Sequence, residues 1–343
     1  MNPMSNKLTK IQIKFIIAGA ILGMLIISLY QLYIPPKSKG SSKIINIHNG
    51  MNVKDITKLL KEEGIIRNEF LFVLLVRITQ SEKELKSGRY KLNPSSNLIE
   101  IFKIIKEGKS DNFCVTIPEG YNIYQIASLL EKEGIILDKQ RFVDLSQDKD
   151  FIGRLNIFSK SLEGYFFPET YCFDPQTKEE HVIEIMVNEC KKRVLDNKVY
   201  QTQTRFLGLS MHQIITLASI IEKESSAPDE RPLVSAVFHN RLKEGMLLES
   251  CATVIYALGE RFNGRLKRDD LHIDSEYNTY LHSGLPPTPI SNPGIKSIES
   301  ALHPEPVDYL FFVSTGNGRH KFSSNVKEHR ENVMRYQIEP YRR

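Results

Sequence analysis

Residues 217–226 read LASIIEKESS and set two glutamates, Glu222 and Glu224, at the end of an apolar run. At about 100° per residue, Met211, Ile214, Ile215, Leu217, Ala218, Ile220 and Ile221 share one arc of a helix. Glu222 falls on one edge of that arc, between Met211 and Ile215. Glu224 falls on the other, between Ile220 and Leu217, and Lys223 points to the solvent side. A carboxyl held against apolar neighbours has its neutral form favoured, which raises its pKa toward the range of a general acid. The alternative is a solvated, charged helix end, and the spacing alone does not choose between the two glutamates.

Residues 276–294, EYNTYLHSGLPPTPISNPG, bring Tyr277, Asn278, Thr279, Tyr280, Pro286, Pro287 and Asn292 into one Pro/Gly-rich stretch. Flat rings and amides of this kind suit stacking on sugar rings and hydrogen bonding to hydroxyls and acetamides. Tyr and Pro also build ordinary rigid loops. No Gly-rich phosphate loop, G-x-S-x-G elbow or H-E-x-x-H occurs, so nucleotide, serine-hydrolase and zinc-protease chemistry lose their usual support. His303, His320 and His329 read as hydrogen-bonded structural histidines. Cys114, Cys172, Cys190 and Cys251 show no C-x-x-C spacing and read as buried free thiols, with a disulfide open to an exported body.

Several elements must position these groups. Ser210 and Gln213 make an S-x-x-Q capping box that predicts a helix over 211–225. PLVSAVFHNRLKEG, with Pro232 in its first turn and Gly245 at its end, predicts a second over 232–245. A helix around 181–195, a hairpin from DYLFFVST (308–315) and HKFSS (320–324), and a polar helix over 325–338 complete the C-terminal part, which begins near residue 156. Before it, INIHNGMNVKDITKLLKEEGII from Ile45 and VTIPEGYNIYQIASLLEKEGII from Val115 are identical at ten of twenty-two positions. Each predicts a strand, a turn at Gly50 or Gly120, and a helix closed at Gly64 or Gly134. Such a pair of small α/β modules reads as a spacer or as a carbohydrate-binding module of LysM type.

At the start, Phe15–Ile34 gives twenty residues of which only Gln31 is strongly polar, long enough for one transmembrane helix. No small-x-small cleavage site follows it. The +5 net charge looks like a nucleic-acid signal until six lysines around the span (7, 10, 14, 37, 39, 43) are set apart, which leaves 40 basic against 41 acidic residues. No nucleic-acid partner is expected. Three lysines lie on each side of the span, and the short tail leaves the N-terminus in the cytoplasm.

Taken in order, LASIIEKES, ERPLVSAVFHNRLKEGMLLES, ATVIYALG, YNTYLHSGLPPTPISNPG and FFVSTGNGRHKFSS resemble the MltG (YceG-like) family of endolytic murein transglycosylases, and LEGYFFPETY fits the start of its catalytic domain. The resemblance runs from about residue 45 to 336. It implies an α+β body with a single N-terminal transmembrane helix. Residues 1–43 would be tail, span and linker, 44–155 a LysM-like membrane-proximal subdomain carrying the repeat, and 156–343 the catalytic domain. It also implies a single-pass protein of the bacterial inner membrane, with its body in the periplasm or outside the cell. There it would cleave nascent glycan strands at the MurNAc-GlcNAc bond, leave a 1,6-anhydro end and so terminate elongation. Glu222 becomes the catalytic acid/base, with Asn240, Arg241, Thr253, Tyr256, Tyr277, Asn278, Thr279, Tyr280, Pro286, Pro287, Asn292 and His320 toward substrate. Peptidoglycan strands, and synthases at the membrane, are the implied partners, with no metal or organic cofactor required. One departure stands out: the family usually has an aspartate where this chain has Cys251, and Glu249 is the nearest carboxylate that could replace it. A hydrolytic muramidase using Glu224, Asp229 or Glu230 as second carboxylate, and a non-catalytic peptidoglycan-binding scaffold, are the competing expectations.

Overall fold

The structure is a computed structural model that describes residues 19, 22, 23, 32–36, 40–48, 50–108, 113–173, 177–225 and 227–339. They form two compact units, whose described residues fall within Met1–Phe113 with Cys172–Pro175 and within Cys114–Tyr171 with Gln176–Arg343. Among the described residues helices dominate and the strands pair in two-stranded sheets, so the mixed α+β class holds. Among the described residues no helix is long and apolar enough to cross a membrane. The span expected over Phe15–Ile34 lies for the most part outside those residues.

In the first unit, β1 (Lys43–Ile47) runs antiparallel to β2 (Gly88–Leu92), with Ile45 opposite Tyr90. The period-two pattern of β1 buries Ile45 and Ile47 and leaves Ile44 outside. Three helices cover the inner face: α1 (Val53–Glu62), α2 (Glu69–Ile78) and α3 (Leu98–Glu107). Capping boxes from Asn52 with Asp55 and from Asn97 with Glu100 start α1 and α3, satisfying amides that the first turn leaves without partners.

The second unit begins with the second copy of the repeat. Its strand β3 (Phe113–Thr116) leads through Gly120 into α4 (Ile123–Lys132), capped by Asn122 and Gln125 as α1 is by its own pair. The two copies therefore share strand, turn and helix but fall in different units. Next come α5 (Lys139–Leu145), α6 (Lys149–Arg154), the first half of β4 (Thr170–Phe173), α7 (Glu179–Cys190) and α8 (Lys198–Leu207). The hydroxyls of Thr116 and Thr170 meet at 2.8 Å. Cys114 and Cys172 are disulfide-bonded, the alternative that the sequence left open, while Cys190 and Cys251 are free.

At the centre lies α9 (Met211–Glu224), begun by the Ser210/Gln213 capping box as expected. Every residue from Ile214 to Ile221 is buried, Thr216 and Ser219 included. The helix is thus enclosed all round where the sequence pattern suggested one buried arc. Its polar residues are accommodated by bonding: Ser219 Oγ donates to Thr216 O (2.7 Å) and accepts from Ile290 N (3.0 Å). Around it pack α10 (Arg231–Lys243), α11 (Cys251–Leu258) and α12 (Ile295–Leu302). The hairpin forms as predicted from β5 (Phe311–Ser314) and β6 (His320–Ser323), and α13 (Val326–Val333) follows.

Candidate functional site

Glu222 stands in the last turn of α9, where unsatisfied carbonyls disfavour a negative charge. A short turn over Pro228–Glu230 reverses the chain and starts α10 at Arg231. The guanidinium is thereby returned onto the carboxylate, Arg231 Nη2 donating to Glu222 Oε1 at 2.8 Å. From a separate loop the Gly294 amide donates to Glu222 Oε2 at 3.0 Å. The Glu222 side chain is 7% exposed and that of Arg231 11%. Sequence periodicity put apolar side chains around this carboxylate. Instead it is held by two donors, one charged.

Beside it opens a cavity of about 1160 Å³. Tyr121, Tyr124, Tyr256 and Tyr277 supply rings to its wall, and Asn122 and Gln125 supply amides. Lys223 and Gly120 form the part of the wall next to Glu222: Lys223 Nζ donates to Gly120 O at 3.2 Å. A methyl group added at Gly120 would lie 3.4 Å from Glu222 Cγ. With φ at +75°, that position also favours glycine on backbone grounds.

Two glutamates that the periodicity did not single out complete the site. Glu119 Oε2 lies 3.8 Å from Arg231 Nη2. Burial and the neighbouring Glu222 charge push its carboxyl above the ordinary range, against the pull of Arg231. Glu163 is fully buried and accepts from Ile123 N (3.2 Å), Tyr256 Oη (3.1 Å) and Asn292 Nδ2 (2.9 Å). It ties the start of α4, the ring of Tyr256 and the loop that ends at Gly294 to one point.

Burial pushes the Glu163 carboxyl from 4.5 up to about 8, against donors that pull it down. Since the folded value lies above the unfolded one, the native state keeps a proton that the unfolded chain gives up. The associated stability is complete below about pH 4 and is lost as pH rises through about 8. Thermal unfolding should therefore show a melting temperature that falls between about pH 5 and about pH 9, with a shallower fall in Glu163→Gln. Identical slopes in the two proteins would contradict this assignment.

The remaining residues expected at the site divide in two. Tyr256 and Tyr277 line the cavity with ring centroids 4.9 Å apart, and Tyr277 Oη lies 2.7 Å from Thr288 Oγ1. Most of the others are buried or turned toward protein groups. Asn240 Nδ2 donates to Val307 O (2.8 Å) and Tyr309 O (2.9 Å). Arg241 donates to Leu310 O (2.7 Å) and to Glu249 Oε2 (2.9 Å). Thr253 and Thr279 meet at 2.9 Å, and Asn278 Nδ2 donates to Leu271 O and Ile273 O, both at 2.9 Å. Pro286 is buried, and Pro287 O lies 3.1 Å from His212 Nε2. Asn292 contacts Tyr121 O and Phe166 N in addition to Glu163. His320 Nδ1 lies 2.9 Å from Glu230 Oε2.

Cys251 opens α11 with its sulfur 3.1 Å from Tyr280 Oη, and burial raises its thiol. Glu249, the carboxylate that could have stood in for the family's aspartate, is held by Arg241. The second carboxylates that a muramidase would need are engaged as well. Glu224 accepts from Ser250 Oγ, Asp229 pairs with Arg319 (3.0 Å), and Glu230 pairs with His320.

Comparison with known proteins adds four findings. A model of the YceG-like family matches residues 45–335. The Endolytic murein transglycosylase of Bacillus subtilis (strain 168) is 35% identical over 319 residues, 88% of this chain and 87% of that protein. Its namesake from Streptococcus pneumoniae (strain ATCC BAA-255 / R6) is 30% identical over 85% of this chain and 58% of that longer protein. Among solved structures, a yceG-like protein from Listeria monocytogenes superposes with a TM-score of 0.60 at 34% identity, covering 85% of this chain and 98% of that one.

Proposed function

Since the chain belongs to the YceG-like family and is on that footing a peptidoglycan lytic transglycosylase, we propose that Glu222 is its acid and then its base. The observation that carries this reading is the setting of the carboxylate. It is nearly enclosed, held by Arg231 and the Gly294 amide, and lies against Gly120 beside a cavity lined with rings and amides. The proton on Glu222 passes to the glycosidic oxygen as the bond from that oxygen to C1 of N-acetylmuramic acid breaks. The residue, now ionised, takes the proton of the same sugar's C6 hydroxyl as O6 bonds to C1. A 1,6-anhydro end results and no water is consumed. One carboxylate suffices, provided that the C6 hydroxyl is held close to C1, where its effective concentration outcompetes water. The four tyrosines offer faces for sugar rings, and Asn122 and Gln125 offer amides for hydroxyls and acetamides.

Digestion of nascent, uncrosslinked glycan strands tests this. The fragments should end in 1,6-anhydro-N-acetylmuramic acid, about 18 mass units lighter than hydrolytic products, and should resist borohydride. Reducible fragments of full water mass would refute the reading in favour of a muramidase, and binding without fragments would favour a scaffold.

The proposal extends to location. Phe15–Ile34 serves as a single-pass inner-membrane anchor with the N-terminus in the cytoplasm. The LysM-like repeat then stands near the membrane, and strands are cut beside the synthases that make them. A disulfide at Cys114 and Cys172 supports a body outside the reducing cytoplasm.

A further inference from the structure

An acid that opens the reaction must first hold a proton, yet both oxygens of Glu222 are taken by donors, one of them a guanidinium. The group that resolves this conflict lies near the same nitrogen. Arg231 Nη2 is 2.8 Å from Glu222 Oε1 and 3.8 Å from Glu119 Oε2. Arg231 Nε is buried and has no acceptor among the described residues, so the guanidinium is not fully committed to its present arrangement. Glu119 belongs to the turn that carries Gly120. Its carboxylate occupies the space where a side chain at position 294 would begin, directly against the residue whose amide holds Glu222. The other ionisable group here, Lys223, is turned to Gly120 O.

We propose that Glu119 is a positioning residue for the catalytic proton: it competes with Glu222 for Arg231, and in drawing the guanidinium away it lets Glu222 take up the proton that the first step spends. This inference rests on the role proposed for Glu222. With both carboxyls ionised the three groups carry one net negative charge; with one proton shared between them they are neutral, the state that the enclosed Glu222 and Arg231 side chains, 7% and 11% exposed, favour. After Glu222 has released its proton to the leaving oxygen, Arg231 returns to it and stabilises the carboxylate that must act as base. The upward push that the Glu119 carboxyl receives from burial and from Glu222 fits two carboxyls sharing one proton.

The test is the pH profile of kcat/KM for the full chain on uncrosslinked glycan strands, followed by anhydro ends. Its alkaline limb reports deprotonation of the acid in the free enzyme. Glu119→Gln and Glu119→Ala both remove the competing charge, so both should move that limb by about one unit toward acid, the scale of a single close charge. Activity falls about tenfold above the limb, recovers when the pH is lowered, and KM changes little. Glu119→Asp, which keeps the charge, should restore most of the wild-type profile. A loss of equal size at every pH, or an unmoved limb in whichever variant folds, overturns the proposal. Reducing ends from the wild-type chain, or undiminished activity in Glu222→Gln, would instead sink the reading beneath it, and neither measurement involves position 119.

Discussion

Glu222→Gln should abolish turnover on glycan strands, with a loss of ~10²-fold or more, the scale of a missing general acid. An amide keeps the shape of the side chain and can still meet the Gly294 amide through its oxygen, but it can neither give nor take the proton. It also loses the ion pair to Arg231, which is 11% exposed, so some stability is expected to go with the activity. Thermal unfolding separates the two effects, since a folded protein without turnover assigns the loss to chemistry. Glu224→Gln is the control. Its carboxylate faces Ser250 on the opposite edge of α9, and the loss there should be far smaller. Equal activity in Glu222→Gln and wild type would end the assignment.

Asn292→Ala should have the largest effect on stability for its size. The fully buried amide donates to Tyr121 O and Glu163 Oε1 and accepts from Phe166 N, at 2.9, 2.9 and 2.8 Å. Truncation removes three hydrogen bonds and leaves the Phe166 amide without its acceptor, while Tyr121 O keeps the Asn292 main-chain amide and Glu163 Oε1 keeps Ile123 N, for a total of roughly 3 kcal/mol. For a unit of this size the melting temperature should drop by roughly 6–12 °C. Activity should fall with it even where the protein stays folded, because the Gly294 amide that holds Glu222 lies two residues further on. A melting temperature within about 2 °C of wild type would mean that water replaces the amide.

Much of the scaffold was legible because local chemistry dictates it. The Ser210/Gln213 box starts α9 where it was expected, and the tight turn around GNGR closes the β5–β6 hairpin. Both copies of the repeat fold as strand, turn and helix. The surroundings of α9 were less legible: a 3.6-residue period shows which residues prefer burial, but not that Thr216 and Ser219 find partners and let the helix be enclosed all round. Nor can a sequence say which way an amide faces. Asn240, Asn278 and Asn292 are of the right type to meet a sugar, and each is bonded to main-chain carbonyls. Glu119 was hidden for a different reason. It lies in a segment defined by its likeness to an earlier one, and the informative signal was the difference, Pro118-Glu119 where the first copy has His48-Asn49.

The Gly294 amide has a consequence for how mutational scans of this protein will read. The contact it makes to Glu222 belongs to the main chain and survives any side-chain replacement, so a conventional scan is blind to it. A replacement at 294 acts elsewhere: the first carbon of a new side chain would fall on the Glu119 carboxylate, the end of a flexible chain, which must leave its place beside Arg231. Sensitivity at 294 is therefore conditional on the occupant of 119, and the two positions are epistatic. A lineage that shortens residue 119 frees residue 294 to vary, whereas one that keeps the glutamate must displace its carboxylate to enlarge residue 294.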